Sequence, residues 1–366
     1  MSKKQKNGKI EFLRFYFAIL ILLFHIGKRF LGTPGASDDP FRLYFFDEGL
    51  IGVEFFFLVS GYFLAANIYK MRDQSTKYLG SETGFLIKSK FFHIFPYHFY
   101  AMALTVCVNA ILLYDATDKK LKYILDSWSS LFFLEVFGFE SSWANKLTWY
   151  LAVWLMVMFI LYPIGRKNYD IFMNIICPLM ALFILGYLDF TTEGLSDIED
   201  WTGIFYKCFL RGFAEMALGC CAFSLVRWMN QRNWTKKGQR FLTFTEIFGY
   251  LFVLFYTCTR YNGQYEFLML FVIFGLVILS FSDIALGEKY FNRPIVYALG
   301  RLSLVIYLNQ FYCIRIVEYM LPDASFFIQC TLCIVLTFIA SLVADTIITW
   351  LNVHKPVKNF FIVKTD

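Results

Sequence analysis

The chain has 366 residues, of which 58% are hydrophobic and only 17% are Asp, Glu, Lys or Arg. Soluble domains carry about 25% charged residues, and disordered chains have low hydrophobicity, so both classes are excluded. The apolar residues form long uncharged runs, which predicts an all-α integral membrane protein. The formal net charge of +6 is therefore interpreted as membrane topology, and no nucleic-acid partner is expected.

A helix that crosses the hydrocarbon layer needs about 20 apolar residues, and this length predicts about ten transmembrane helices around a polar cavity. Their approximate limits are 10–30, 50–69, 91–114, 149–165, 170–188, 201–226, 242–259, 266–282, 295–319 and 326–351. Residues 128–139 are too few and contain Glu135, so we expect an interfacial or re-entrant segment there. Residues 1–366 are expected to form a single membrane domain with no fused soluble domain.

The distribution of Lys and Arg predicts the orientation. With the N-terminus inside, the cytoplasmic segments hold 21 of these residues and the outer loops hold 8. Short cytoplasmic loops are enriched in Lys and Arg, so both termini are predicted to be cytoplasmic. If residues 128–139 crossed the membrane, the basic loop 227–240 would lie outside and the acidic loop 189–200 inside. No small-residue cleavage site follows the first apolar run, so it is expected to remain as a span.

The first predicted span contains two ionisable residues on one face. Arg14 and His25 are eleven residues apart, which is within about 20° of three full helical turns and about 16 Å along the axis. Ionisable groups inside spans are costly and are candidates for function. The alternative is that Arg14 extends to lipid phosphates and that His25 is a hydrogen-bonded packing residue.

A carboxylate in the second span is predicted at the same depth as His25. Glu54 lies about five residues from the outer end of its span, and His25 about six from the outer end of its own. A carboxylate beside an imidazole would fix the tautomer of the ring. The alternative is that Glu54 reaches the membrane interface. His25 is predicted to be the only core histidine, because His93 and His98 lie near the inner interface and His354 lies in the tail.

The sixth and ninth spans are too polar to face lipid all round. Lys207, Arg211 and Glu215 have the spacing of one helical face, although an Arg211–Glu215 ion pair of purely structural role is an equal alternative. The ninth span contains Arg301, Ser303, Tyr307, Asn309, Gln310 and Arg315. Both spans are therefore expected to line the same cavity.

A basic cluster precedes the third span at the predicted cytoplasmic surface. Lys88, Lys90 and His93 suit either anionic lipid headgroups or the phosphates of a soluble cofactor. No cluster has the spacing of metal ligands, and Cys330 and Cys333 are interpreted as lipid-facing or packed thiols rather than half of a zinc site.

The motifs occur in an order that resembles the acyltransferase family 3 membrane proteins. The motifs are Phe12-Leu-Arg14 through Phe24-His25, Gly52-Val-Glu54 through Ser60-Gly61, His93-Ile-Phe-Pro96-Tyr97, Trp149-Tyr150-Leu151, Arg211-Gly-x-x-Glu215 and Leu299-Gly300 through Tyr307-Leu308. Ser60-Gly61 also predicts a close approach of two helices. The chain departs from the family pattern at His93, Trp154 and Gln310, where the family has Arg, Glu and often His.

The resemblance implies a multi-pass enzyme of the plasma (cell inner) membrane that transfers an acyl group, most often acetyl, from acyl-CoA to a carbohydrate or glycolipid hydroxyl. It implies that Arg14, Lys88, Lys90 and His93 bind the donor, and that His25 acts as general base or covalent carrier, oriented by Glu54 and assisted by Arg14. Arg211, Glu215, Tyr307, Gln310 and Trp149 are expected to line the acceptor cavity. The alternatives are a transporter of an anionic lipid-linked sugar or a non-catalytic partner in glycan assembly.

Overall fold

The protein is a helical bundle with one short β-ribbon, described here by a computed structural model for residues 7–31, 45–139, 144–192, 194–195, 200–259 and 265–354. The predicted all-α class is confirmed. The helices are α1 (Gly8–Phe30), α2 (Gly52–Met71), α3 (Leu79–Leu112), α4 (Thr117–Asp126), α5 (Trp128–Leu131), α6 (Trp149–Lys167), α7 (Tyr169–Thr191), α8 (Lys207–Asn230), α9 (Lys236–Thr257), α10 (Glu266–Phe281), α11 (Glu288–Phe291), α12 (Pro294–Met320) and α13 (Phe326–His354).

Short elements complete the described chain. Single 3-10 turns occupy Gly49–Ile51, Glu135–Phe137 and Lys146–Thr148, and α7 contains a π-helical stretch at Phe172–Ile176. Strand β1 (Trp201–Thr202) pairs antiparallel with β2 (Phe205–Tyr206).

Each of the ten predicted spans contains a helix, although the first residues of the span predicted at 201–226 form the β-ribbon and its helix begins at Lys207. Seven are long and apolar enough to cross a membrane, namely α1, α2 with the turn before it, α3, α6 with the turn before it, α7, α8 and α13. Helix α10 is apolar but has only 16 residues. The protein is therefore a multi-pass membrane protein, while the count of ten and the cytoplasmic position of the termini remain predictions. Residues 1–6, 196–199, 260–264 and 355–366, on which parts of the topology prediction depend, lie outside the described residues.

Glycines allow α2 and α8 to pack backbone to backbone. A Cβ atom at Gly61 would lie 2.0 Å from the carbonyl oxygen of Met216, and one at Gly219 would lie 2.1 Å from that of Leu58. The Cys220 thiol donates a hydrogen bond to the Gly61 carbonyl at 3.3 Å. The predicted close helix approach at Ser60-Gly61 is confirmed, and any larger residue at these glycines would force the two helices apart.

Helix α3 begins twelve residues before its predicted limit, at Leu79. An ion pair holds this extension, because Arg166 of α6 donates from Nε to Glu82 Oε1 at 2.7 Å and from Nη2 to Glu82 Oε2 at 3.1 Å. Such a bidentate pair fixes both position and orientation. The first turns of α3, which carry Lys88 and Lys90, are therefore held against the C-terminal end of α6.

The segment 128–139 packs against α3 inside the helical bundle. Its elements are the four-residue helix α5 and a three-residue 3-10 turn, joined through Phe133, whose φ of 61° lies in the left-handed region. The Phe133 ring stacks on His98 of α3 at 4.2 Å, and His98 Nε2 donates to the Leu131 carbonyl at 3.1 Å. His98 lies about 21 Å along α3 from Leu112, so this packing favours the re-entrant alternative.

His98 is fully buried inside the protein. The sequence predicts that it lies near the inner membrane interface, and that depth remains a prediction. The reason for the burial is the longer α3, in which His98 lies near the middle of 34 helical residues and faces the segment 128–139. His25 is therefore not the only histidine in the interior of the protein.

A buried carboxyl group anchors the same segment to α6. Glu135 is 1% exposed, and its Oε1 accepts a hydrogen bond from the hydroxyl of Thr148, the residue that precedes α6. Its Oε2 has no hydrogen-bond partner among the described residues. Burial raises the pKa of Glu135 from 4.5 to about 7, because removing the carboxylate from water disfavours its charged form.

The orientation can be tested with reporter fusions. We expect fusions after Lys167 and Lys237 to report the cytoplasm and a fusion at Glu193 to report the outside, because the enrichment of Lys and Arg selects this topology. The measurement uses two reporters at each site, one that is active only in the cytoplasm and one that is active only after export. Exchanged locations at Lys167 and Lys237 would mean that an additional segment spans the membrane.

Glu135 predicts how stability depends on pH. Its pKa is higher in the folded than in the unfolded protein, so the folded state binds more protons between about pH 4.5 and 7 and stability falls as the pH rises through this window. The full effect is at most about 3 kcal/mol. We expect Glu135→Gln to remove most of this fall, measured as the thermal unfolding midpoint in detergent at about pH 5 and pH 8.

Asp118→Asn, at an exposed site, is the matched control for Glu135→Gln. Equal falls in the parent and in Glu135→Gln would contradict the assignment.

Candidate active site

A cavity of about 490 Å³ opens between α1, α2, α3, α6 and α12. Three basic side chains line it, namely Arg14 of α1 and Lys90 and His93 of α3. Most of the remaining wall is apolar and comes from α2, α3 and α6. A largely apolar pocket with a few converging polar groups is the usual form of a small-molecule site, and the basic residues favour an anionic ligand.

Lys88 and Lys90 do not share a position, although the sequence groups them. Lys90 lines the cavity, whereas the Lys88 ammonium lies over the Phe92 ring at 6.0 Å from its centroid and is not among the cavity residues. Residues two apart on a helix are about 200° apart around its axis. The structure therefore separates one of the four predicted donor-binding residues from the other three.

Hydroxyl groups form the polar part of the wall on the α6 and α12 side. The hydroxyls of Ser60 and Tyr150 are 3.3 Å apart. The Tyr307 hydroxyl donates to the Leu147 carbonyl at 2.7 Å, and that of Ser303 donates within its own helix. Sequence reasoning singled out neither Tyr150 nor Ser60 as a site residue, although both belong to the quoted motifs.

Behind this wall, Arg211 forms a buried charged cluster. Its Nη2 donates to Glu54 Oε1 at 2.6 Å and its Nε donates to Glu215 Oε1 at 2.7 Å. Its Nη1 donates to the Leu195 carbonyl at 3.1 Å, and the guanidinium lies over the Trp149 ring at 5.7 Å. The two carboxylates and the guanidinium are at most 2% exposed. The structural ion pair considered from sequence is therefore present.

The five expected acceptor-cavity residues lie in three different surroundings. Tyr307 lines the cavity, whereas Arg211, Glu215 and Trp149 belong to the buried cluster and are not on the described cavity wall. Gln310 is fully buried and donates from Nε2 to the Tyr307 carbonyl at 3.0 Å. The reason is rotation about the helix axes, which places neighbouring motif residues on different faces.

His25 and Glu54 are not brought together. One oxygen of Glu54 binds Arg211 and the other has no partner among the described residues, so Glu54 does not orient the imidazole. The ring of His25 is half-buried, its Nδ1 is buried without a described hydrogen-bond partner, and the side chain of Gln310 lies beside it. His25 is not among the described cavity residues. The Tyr307–Gln310 turn of α12 connects the cavity wall to the surroundings of His25.

Within the described ranges, no group of three or more His, Cys, Asp or Glu side chains is arranged to hold a metal ion.

The family comparison agrees with the sequence motifs. No curated protein and no solved structure matches the chain. The profile of the family described as "Acyltransferase domain" matches residues 7–346, which is nearly the whole chain. The chain therefore belongs to acyltransferase family 3 and is a membrane acyltransferase.

Proposed function

We propose that the protein moves an acyl group, which we expect to be acetyl, from cytoplasmic acyl-CoA to a hydroxyl of an extracytoplasmic or lipid-linked carbohydrate. The observation that carries this proposal is that Arg14, Lys90 and His93 line one cavity together with hydroxyl groups. Acyl-CoA carries several phosphate charges at one end and an uncharged thioester arm at the other. The basic and apolar parts of the cavity are complementary to these two ends.

On the donor side, the phosphates would contact the basic side chains of the cavity, which α1 and α3 supply. Arg14 is on α1, and its side chain keeps 36% of its exposure while Glu11 lies 3.7 Å away. A guanidinium can hold phosphate through two parallel hydrogen bonds, whereas a lysine acts as a point charge. Arg14 and Lys90 would thus together fix the phosphate end of the donor.

On the acceptor side, His25 would be the reactive group. A buried ring nitrogen without a hydrogen-bond partner is rare in folded proteins and calls for an explanation. The imidazole, which the Ile21 backbone and the Gln310 side chain approach, can take the proton of an acceptor hydroxyl as a general base, or attack the thioester carbon and carry the acyl group covalently. Both roles remain part of the proposal. In either role the C–S bond of the donor breaks, a C–O bond forms on the acceptor, and the hydroxyl proton ends on the CoA thiolate.

Glu54 enters the proposal in a changed role. Because it binds Arg211 and not His25, its contribution would be to hold α2 in place. That helix supplies Ser60 and several apolar residues of the cavity wall. Loss of Glu54 would therefore act on the shape and electrostatics of the cavity, not on the imidazole directly.

Removal of the imidazole tests the catalytic role. We expect His25→Ala to lower acyl transfer per folded protein at least about 100-fold, since general-base catalysis contributes that much or more. Turnover of radiolabelled acetyl-CoA by purified protein in membranes, normalised to the monodisperse fraction, is the measurement. His98→Ala is the matched control, because His98 is also buried but packs on the segment 128–139, and it should keep its turnover. Undiminished activity in His25→Ala would reject the mechanism and favour a non-catalytic role.

The two neighbouring lysines test the donor site. We expect Lys90→Ala to weaken CoA binding about tenfold or more, because a charge-assisted hydrogen bond contributes about 1.5 to 3 kcal/mol. Lys88→Ala, two residues away on another face of α3, should change binding much less. Calorimetry in detergent with CoA and with CoA that lacks its 3′-phosphate provides the measurement. Equal effects of the two substitutions, or none, would place the phosphates elsewhere, with Lys236, Lys237 and Arg240 as the next basic surface.

A further inference from the structure

Two carboxylates share a single guanidinium in the buried cluster. Each uses one oxygen for this contact, Glu54 toward Nη2 and Glu215 toward Nε of Arg211. The third direction of the guanidinium is taken by the carbonyl of Leu195. Each carboxylate is therefore held through one oxygen only, and the guanidinium has no bidentate carboxylate partner.

The second oxygen of each carboxylate is left without a hydrogen bond. Oε2 of Glu54 and Oε2 of Glu215 are both buried and have no partner among the described residues. An ionised carboxylate offers about four acceptor positions and no donor. Burying such a charge with most of these positions empty costs several kcal/mol. Because both neighbouring carboxylates have one buried oxygen without a hydrogen bond, the cluster needs a further hydrogen-bond donor.

The charges around the cluster leave an excess of negative charge. The ionisable groups on the packed elements are Glu54 of α2, Lys207, Arg211 and Glu215 of α8, and Glu266 of α10, while α6 presents the uncharged Trp149. Glu266 accepts a hydrogen bond from the backbone N–H of Leu195, so it lies at the same junction. Glu54, Arg211 and Glu215 themselves comprise two carboxylates and one guanidinium, and all three side chains are at most 2% exposed. Within these three residues, one negative charge is in excess.

We propose that this cluster is a proton-binding site, at which Glu54 and Glu215 share one proton in the resting protein at neutral pH. The proton converts one Oε2 from an acceptor into a donor and removes the uncompensated charge. Like charges placed this close do not both persist in a buried site, as paired catalytic carboxylates in other enzymes illustrate. The proton belongs to the pair, because the two groups are coupled through the same guanidinium.

The cluster lies next to the hydroxyl-lined part of the cavity wall. Trp149, which lies over Arg211, is followed in the chain by Tyr150, whose hydroxyl contacts Ser60 in the cavity. On α2, Glu54 faces α8 while Ser60 faces the cavity. An acid–base group thus lies directly behind the hydroxyl-lined part of the wall.

Infrared spectroscopy of the full-length protein in detergent tests the proposal. A protonated carboxyl group has a C=O stretching band that is separate from that of carboxylates and shifts in D₂O. Because Glu135 titrates near neutral pH, Glu135→Gln is the background for every measurement. In that background at neutral pH we expect the band of a single buried carboxyl group. Adding Glu54→Gln or Glu215→Gln should abolish it, since Arg211 then compensates the carboxylate that is left.

The matched control is Glu82→Gln in the same background. Glu82 receives two N–H donors from Arg166 and has no need of a proton, so this substitution should leave the band unchanged. Loss of the band in only one of the two cluster variants would contradict sharing, because the other carboxyl group would then hold its proton without its partner. Absence of the band in Glu135→Gln itself, a measurement that requires no change in the cluster, would overturn the proposal. So would a band that survives both cluster substitutions. Neither outcome depends on acyl transfer, so the proposed function can fail separately.

Discussion

The guanidinium of Arg211 is the constraint on which the centre of the protein depends. Through three donors it joins α2, its own helix α8 and the residues before β1, and Leu195 extends the junction to α10. Removing one partner of a buried ion pair costs about 3 to 5 kcal/mol, because the other charge is left uncompensated. That is a large share of the stability of an ordinary domain. The relative positions of these four elements are therefore fixed by charge as well as by packing.

The same constraint sets the geometry of the cavity. Helix α2 presents Glu54 and Gly61 to α8, and it presents Phe56, Ser60 and Phe63 to the cavity. A helix whose one face is held by a buried ion pair and a close glycine contact cannot rotate without losing both. The cavity face is consequently as well ordered as the buried face. Replacing a buried ion pair by apolar residues of similar volume often costs no stability. A role in positioning the cavity therefore explains the charged cluster better than stability alone.

The positions of the helices along the chain could be predicted from the sequence, whereas direction around a helix axis could not. Counting residues from span ends placed Glu54 level with His25, but depth alone did not reveal that α8 supplies a nearer partner. The eleven-residue spacing of Arg14 and His25 gives a shared face because both are on one helix. Lys88 and Lys90 were grouped by proximity in sequence, yet a rotation of about 200° separates them. The segment 128–139 was recognised as too short to span, but its stacking on His98 depends on a contact between distant parts of the chain that no local pattern encodes.

Arg14 and His25 lie far apart along α1. Along α1 the distance is about 16 Å, so a donor whose phosphates contact Arg14 must extend its thioester arm by that length to bring the acyl carbon to the imidazole. Tyr307 lines the cavity and its hydroxyl donates to the Leu147 carbonyl, and Gln310 beside His25 lies one turn further along α12. Under the proposed function, the donor would therefore extend from the N-terminal half of α1, where Arg14 lies, to its C-terminal half, where His25 lies.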